Sequence, residues 1–127
     1  MGVKINWIQN TQVVGGPKVA GAGLVEADAY DNVEVKVASG ATVTVEVQPA
    51  TTAGRVKFLL VRSDNYANLT YEITEAAPLG AVDLDGQLVL VGEGALKLVG
   101  GAPKTFKFVN SGTADANVQI LVARDVS

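Results

Sequence analysis

The stretch NVEVKVASGATVTVEVQP, residues 32–49, constrains the fold more than any other part of the chain. Val33, Val35 and Val37 alternate with Glu34 and Lys36, and Val43, Val45 and Val47 alternate with Thr44 and Glu46. A period of two places every valine on one side of an extended chain, and the charged and hydroxyl side chains on the other. Valine is stiff at χ1 and packs well on a pleated surface, so two half-buried strands are expected. Two arrangements satisfy the pattern. In a hairpin, valine faces valine only across an odd loop centred on Gly40, with 37 opposite 43 and 35 opposite 45. Alternatively, Ser39-Gly40-Ala41 is a corner where the chain crosses between two packed sheets.

The rest of the chain extends this reading. Valine occurs 21 times in 127 residues, and 14 glycines and 4 prolines punctuate short apolar runs. Pro49 and the following ATTAG close the first unit. RVKFLLVR has a nearly continuous apolar centre, as expected of a central strand covered on both faces. LTYEIT alternates again, and Pro78-Leu79-Gly80 and Asp85-Gly86 are turn signals. In LVLVGEGALKLVGG the Gly92-Glu93-Gly94 break favours two short strands over one helix, because glycine sits poorly in helices. TFKFVN and NVQILVARD read as a last pair of strands joined by the polar loop SGTADA. Many short strands at this spacing predict an all-β domain, a β-sandwich or jelly roll with little or no helix.

The N-terminal segment reads differently. VVGG and VAGAG lack sustained alternation, so residues 1–30 are expected to form a strand or extended arm that contacts a partner, and residues 31–127 the sandwich. The interface candidates are Val13, Val14, Val19 and Leu24, apolar residues without a sheet to hold them, with Trp7 as anchor. The competing reading places the same residues in an ordinary first strand and loop of the sandwich.

Composition excludes much chemistry. With no histidine and no cysteine there are no imidazole or thiolate metal sites, no Ser-His or Cys-His nucleophile pairs and no disulfides. The glycine-rich stretches GAGLVE and GGAPKT depart from phosphate-loop patterns: Glu26 stands where a third glycine belongs, and Pro103 precedes Lys104. Asp83-Leu84-Asp85-Gly86 resembles the start of a calcium loop, but position 94 is Gly where the distal glutamate belongs, so it reads as a turn. No catalytic residue, cofactor or metal is therefore expected. A carboxylate pair of the glycosidase kind is a reading that composition alone leaves open. Net charge is −3 with the basic residues scattered singly, which argues against nucleic acid as a partner. Apolar runs are too short to span a membrane as helices, and the first residues do not read as a signal peptide. A hydrophobic fraction of 48% against 18% charge instead suggests subunit interfaces. Trp7 with Tyr66 would make a carbohydrate platform if the two stood side by side on the surface.

Along its whole length the chain resembles small structural proteins of tailed-bacteriophage virions, particularly capsid decoration or cement proteins. The resemblance is carried by AYDNVEVKVASGATVTVEVQP, VKFLLVRSDNY, LDGQLVLVGEGALKLVGG and FVNSGTADANVQILVARD. It implies a non-enzymatic subunit, made in the host cytoplasm and located on the capsid surface, that binds the major capsid protein and its own copies, often as a homotrimer. A tail or baseplate accessory protein, or an adhesion module, shares the same pattern.

Overall fold

The computed structural model describes residues 2–47 and 56–125. Ten strands are present among them: β1 (Val3–Gln12), β2 (Lys18–Ala27), β3 (Ala29–Val37), β4 (Thr42–Glu46), β5 (Val56–Ser63), β6 (Leu69–Ile73), β7 (Val82–Asp83), β8 (Leu88–Val91), β9 (Thr105–Asn110) and β10 (Ala116–Arg124). Strands β3 to β10 build a sandwich of two antiparallel four-stranded sheets, in the orders β3-β10-β5-β8 (sheet I) and β4-β9-β6-β7 (sheet II). Strands β1 and β2 form a separate two-stranded antiparallel ribbon. The all-β sandwich expected from the valine alternation is what the chain adopts.

The core lies between the two sheets. Val37, Leu59, Val61, Val118, Ile120 and Val122 reach into it from sheet I, and Tyr71, Ile73, Phe106 and Phe108 from sheet II. Phe106 and Phe108 are two apart on β9, so both rings project inward, and they stack 6.5 Å apart with planes 7° from parallel. Burial of such side chains, each worth roughly 1.5–3 kcal/mol, is the main term holding the sheets together.

The two arrangements left open for residues 32–49 are resolved in favour of the corner. Val37 ends β3 in sheet I and Thr42 begins β4 in sheet II, so the valines face each other across the core and not along a hairpin. TFKFVN and NVQILVARD do not pair with each other as expected: β9 lies between β4 and β6, and β10 between β3 and β5. Alternation alone cannot distinguish these cases, because an inward-facing strand looks the same whichever sheet it joins. The central position expected for RVKFLLVR holds, since β5 is an inner strand of sheet I.

GALKLV is not a strand. Residues Glu93–Leu96 form one α-helical turn, α1, that continues as a 3₁₀ turn over Lys97–Val99. Leu96 and Val99, three apart, are buried in the core while Leu98 is 70% exposed, which is helical spacing and incompatible with a period of two. Gly100 ends the turn with φ +90°, and a Cβ there would stand 2.6 Å from the carbonyl oxygen of Glu75. The break expected at 49–54 lies outside the described residues.

One end of the sandwich is pinned by a single buried amide. Asn110, fully buried at the end of β9, donates from Nδ2 to the carbonyls of Val37 (3.0 Å) and Ala114 (2.8 Å), and its Oδ1 accepts from the Gly112 N–H (3.0 Å). Its backbone also exchanges hydrogen bonds with Gly40 and Ala41 at the corner. The SGTADA loop is therefore tied to both sheets. Further ties come from the Ser39 hydroxyl, which donates to the Gly112 carbonyl (2.7 Å), and from the Asp115 carboxylate, which accepts from the Ser39 N–H (3.0 Å).

Candidate partner-binding surface

The N-terminal segment is neither a single extended arm nor a strand of the sandwich: it is a hairpin of two ten-residue strands in continuous register from Val3↔Ala27 to Gln12↔Lys18. The structural break between hairpin and sandwich falls at Asp28, two residues before the boundary expected after residue 30. At about 3.4 Å per residue the ribbon is roughly 34 Å long. Its turn is closed by the Gly16 N–H donating to the Val13 carbonyl (2.7 Å), with Gly15 at φ +77°.

The ribbon's inner face carries Val3, Ile5, Trp7 and, opposite them, Ala27, Val25 and Gly23. This face packs on the outer surface of sheet I, against Phe58, Leu60, Val91, Leu121 and Ala123. The contact explains why RVKFLLVR is apolar throughout: Leu59 and Val61 point into the sandwich, while Phe58 and Leu60 point out and are covered by the ribbon. Polar links fasten the same end. The Asp28 N–H donates to the Arg124 carbonyl (2.9 Å), and Lys57 Nζ donates to the Glu26 carbonyl (3.3 Å) while pairing with Asp125 (3.0 Å).

Trp7 lies over Gly21 and Gly23 of the neighbouring strand. A Cβ at Gly23 would stand 2.7 Å from the indole Nε1, so only glycine leaves room for the ring. An aromatic ring lying over a cross-strand glycine stabilises a position that glycine would otherwise weaken. Trp7 is thus half-buried within its own hairpin, not offered freely as an anchor. Tyr66 is elsewhere: it packs at the edge of the main core and its hydroxyl accepts from the Ser63 N–H (3.1 Å). The carbohydrate platform expected from Trp7 and Tyr66 is therefore not assembled.

Beyond Trp7 the ribbon leaves the sandwich, and every residue from Ile8 to Ala20 is exposed. Val14 at the turn is 99% exposed, Val13 and Val19 are 61% and 64%, and Leu24 is 53%. These expected residues do not form one patch. Val13 and Val14 make an apolar tip, Val19 is on the distal inner face, and Leu24 is on the outer face. Sequence reasoning missed Ile8, 78% exposed on the outer face beside Leu24 and Ala22. Its signal was available once the hairpin register is known, since the even-numbered residues of both strands share that face. A two-stranded ribbon is only marginally stable alone in water, and among the described residues neither of its edges has a neighbouring strand. Chemically this surface can bury apolar side chains and pair backbone groups.

The opposite end of sheet I's outer surface is polar. Glu34, Lys36, Arg62, Asp64, Asn117 and Gln119 line a shallow depression of about 300 Å³. Asp64 accepts from both the side-chain amide and the backbone N–H of Asn117 (2.8 Å each), and these bonds hold its carboxyl below the ordinary value. The Ser39 N–H and the Lys36 ammonium, 3.1 Å away, lower Asp115 in the same way. At Glu75 burial raises the carboxyl's pKa, but N–H groups of Thr105 and Lys104, each 2.7 Å from one oxygen, outweigh it and leave it lowered. These carboxylates are latches for loops, and their chemistry favours the ionised, accepting form. Among the described residues no three acidic side chains converge on a metal-sized site. No family model matches the chain, and neither a curated protein nor a solved structure matches it.

Proposed function

We propose that the chain is a capsid decoration protein of a tailed bacteriophage, a non-catalytic subunit that seats on the outer lattice and holds neighbouring copies of the major capsid protein together. The observation that supports it is the hairpin: a sandwich with latched loops carries a ribbon whose distal half, residues 8–20, is exposed among the described residues and whose tip presents Val13 and Val14 to solvent. Apolar side chains held out on a ribbon suit a cleft between lattice subunits, where their burial would supply the adhesion. The phage resemblance of the sequence names the lattice.

The test is co-sedimentation of the full chain with heads of the source phage prepared without it. The native chain is expected to saturate the heads, and a Val13→Asp/Val14→Asp variant to bind at least tenfold more weakly. That loss would come with unchanged unfolding, because the tip contributes nothing to the core. Saturation of isolated tails in place of heads would move the protein to the tail, and equal binding by the variant would remove the tip from the contact.

A further inference from the structure

The ribbon's outer face has a symmetry that its inner face lacks. Along β2 the outward residues run Lys18, Ala20, Ala22, Leu24, Glu26 from tip to base, and Ile8 stands opposite Ala22 at the middle. Reversed about Ala22, the series is complementary to itself. The ammonium at 18 exchanges with the carboxylate at 26, the small side chain at 20 exchanges with the large one at 24, and Ala22 falls on itself.

We infer that this face binds a second copy of the chain, two ribbons packing outer face to outer face and antiparallel about a twofold axis through Ala22 and Ile8. The axis lies in the interface and perpendicular to the strands, so β2 faces the partner's β2 and β1 faces its β1. Each dimer then holds two Glu26–Lys18 ion pairs, two contacts of Leu24 over Ala20, and one central contact of Ile8 with its own copy. The twofold operator makes every contact occur twice except those on the axis, as an isologous interface requires. Exposure agrees with the assignment, since Ile8 and Leu24 are the large apolar side chains of this face and both are largely open to solvent. Glu26 pairs with Lys4 of its own chain at 3.9 Å, but both side chains are 68% exposed and the pair is weak, leaving the carboxylate open to a second cation.

The parallel alternative, with the twofold axis along the ribbon, sets β2 against the partner's β1, so that Leu24 faces Asn6, Ala20 faces Asn10 and Lys18 faces Gln12. It keeps Glu26 opposite Lys4 but sets apolar side chains against amides and leaves Lys18 without a carboxylate. The inferred contact is small: a ribbon roughly 34 Å long and about 10 Å wide covers some 340 Å² per copy by strand geometry, below the ~800 Å² of a standard interface. A concentration-dependent dimer follows, stronger wherever copies are already held close together. It differs from the trimer implied by the phage resemblance. It does not rest on the capsid reading, because it is tested in solution without any particle.

The experiment is sedimentation velocity on the full chain from about 10 μM to about 1 mM. The native chain is expected to shift from monomer to dimer over that range. Lys18→Glu and Glu26→Lys each place two like-charge contacts in the dimer, and each is expected to weaken association at least fivefold. An equimolar mixture of the two variants restores native association: in the mixed dimer one native Glu26–Lys18 pair survives, and the introduced carboxylate meets the introduced ammonium. Circular dichroism confirms that each variant keeps its strands. A monomer throughout the range, a trimer, single variants that associate like the native chain, or a mixture no tighter than its components would each overturn the inference.

Discussion

The sandwich and the hairpin follow the same alternation with opposite results. In the sandwich each inward side chain meets a facing sheet, so Val37, Ile120 and Phe106 are fully buried. In the hairpin the facing surface ends after Trp7 and leaves Val19 of the inner face in water, while Ile8 and Leu24 stand exposed on the outer face, which the sandwich does not reach. The difference shows that alternation specifies a strand and a face but not what covers the face. Where the chain supplies the cover, the pattern becomes core; where it stops, the pattern becomes an interface.

Three substitutions probe that contrast. Phe106→Ala removes a fully buried ring stacked on Phe108 and is expected to destabilise the protein by about 3–5 kcal/mol, read from urea denaturation. A cost below about 1 kcal/mol would mean that the two sheets do not close on one another. Gly23→Val drives a side chain into the Trp7 indole and is expected to cost about 1–3 kcal/mol, confined to the hairpin. Hydrogen exchange should show faster amides in residues 3–27 and unchanged protection in β9 and β10; loss in both would make hairpin and sandwich one cooperative unit.

The smallest effect concerns acid. Asp64, Asp115 and Glu75 have lowered pKa values in the folded chain, so below their ordinary values of 3.8, 3.8 and 4.5 the unfolded chain binds more protons than the folded one. The stability they contribute is complete above those values and is lost as pH falls through the lower folded ones. All three latch sandwich loops, so acid should loosen the sandwich ends first, and Asp64→Asn should make the acid-dependent fall shallower. Acid unfolding identical in native and Asp64→Asn chains would remove this carboxylate as a latch.

How much of this was legible in the sequence follows from what each residue type reports. The strands of residues 33–37 and 43–47 were readable because alternate valines report a half-buried face, yet their division between sheets was not, because the pattern carries no information about neighbours. The continuous apolar run of β5 correctly required a cover on both faces, but the identity of the outer cover was hidden. It was hidden because Gly21 and Gly23 occupy inward positions of β2, where Trp7 from the next strand supplies the missing apolar volume and masks the alternation. Val13, Val14, Val19 and Leu24 were singled out, and Ile8 was not, because Asn6 and Asn10 flank it on the same face and interrupt the apolar run until the register is known.

The position of β10 carries a consequence for synthesis. It is hydrogen-bonded to β3 on one side and β5 on the other, with Val118 opposite both Val35 and Ser63. Sheet I therefore has no continuous middle until a strand more than 50 residues after β5 has left the ribosome. The hairpin contacts are local and can form in microseconds as soon as residue 27 is free, whereas the sandwich waits for the most distant pairing in the chain. During that interval β3 and β5 expose facing edges spaced for a strand that does not yet exist, and another nascent chain can occupy the gap. The hairpin base waits for the same strand, because Leu121 and Ala123 of β10 lie beneath it beside Phe58 and Leu60. The hairpin can therefore pair early but can dock fully only when β10 completes the sheet.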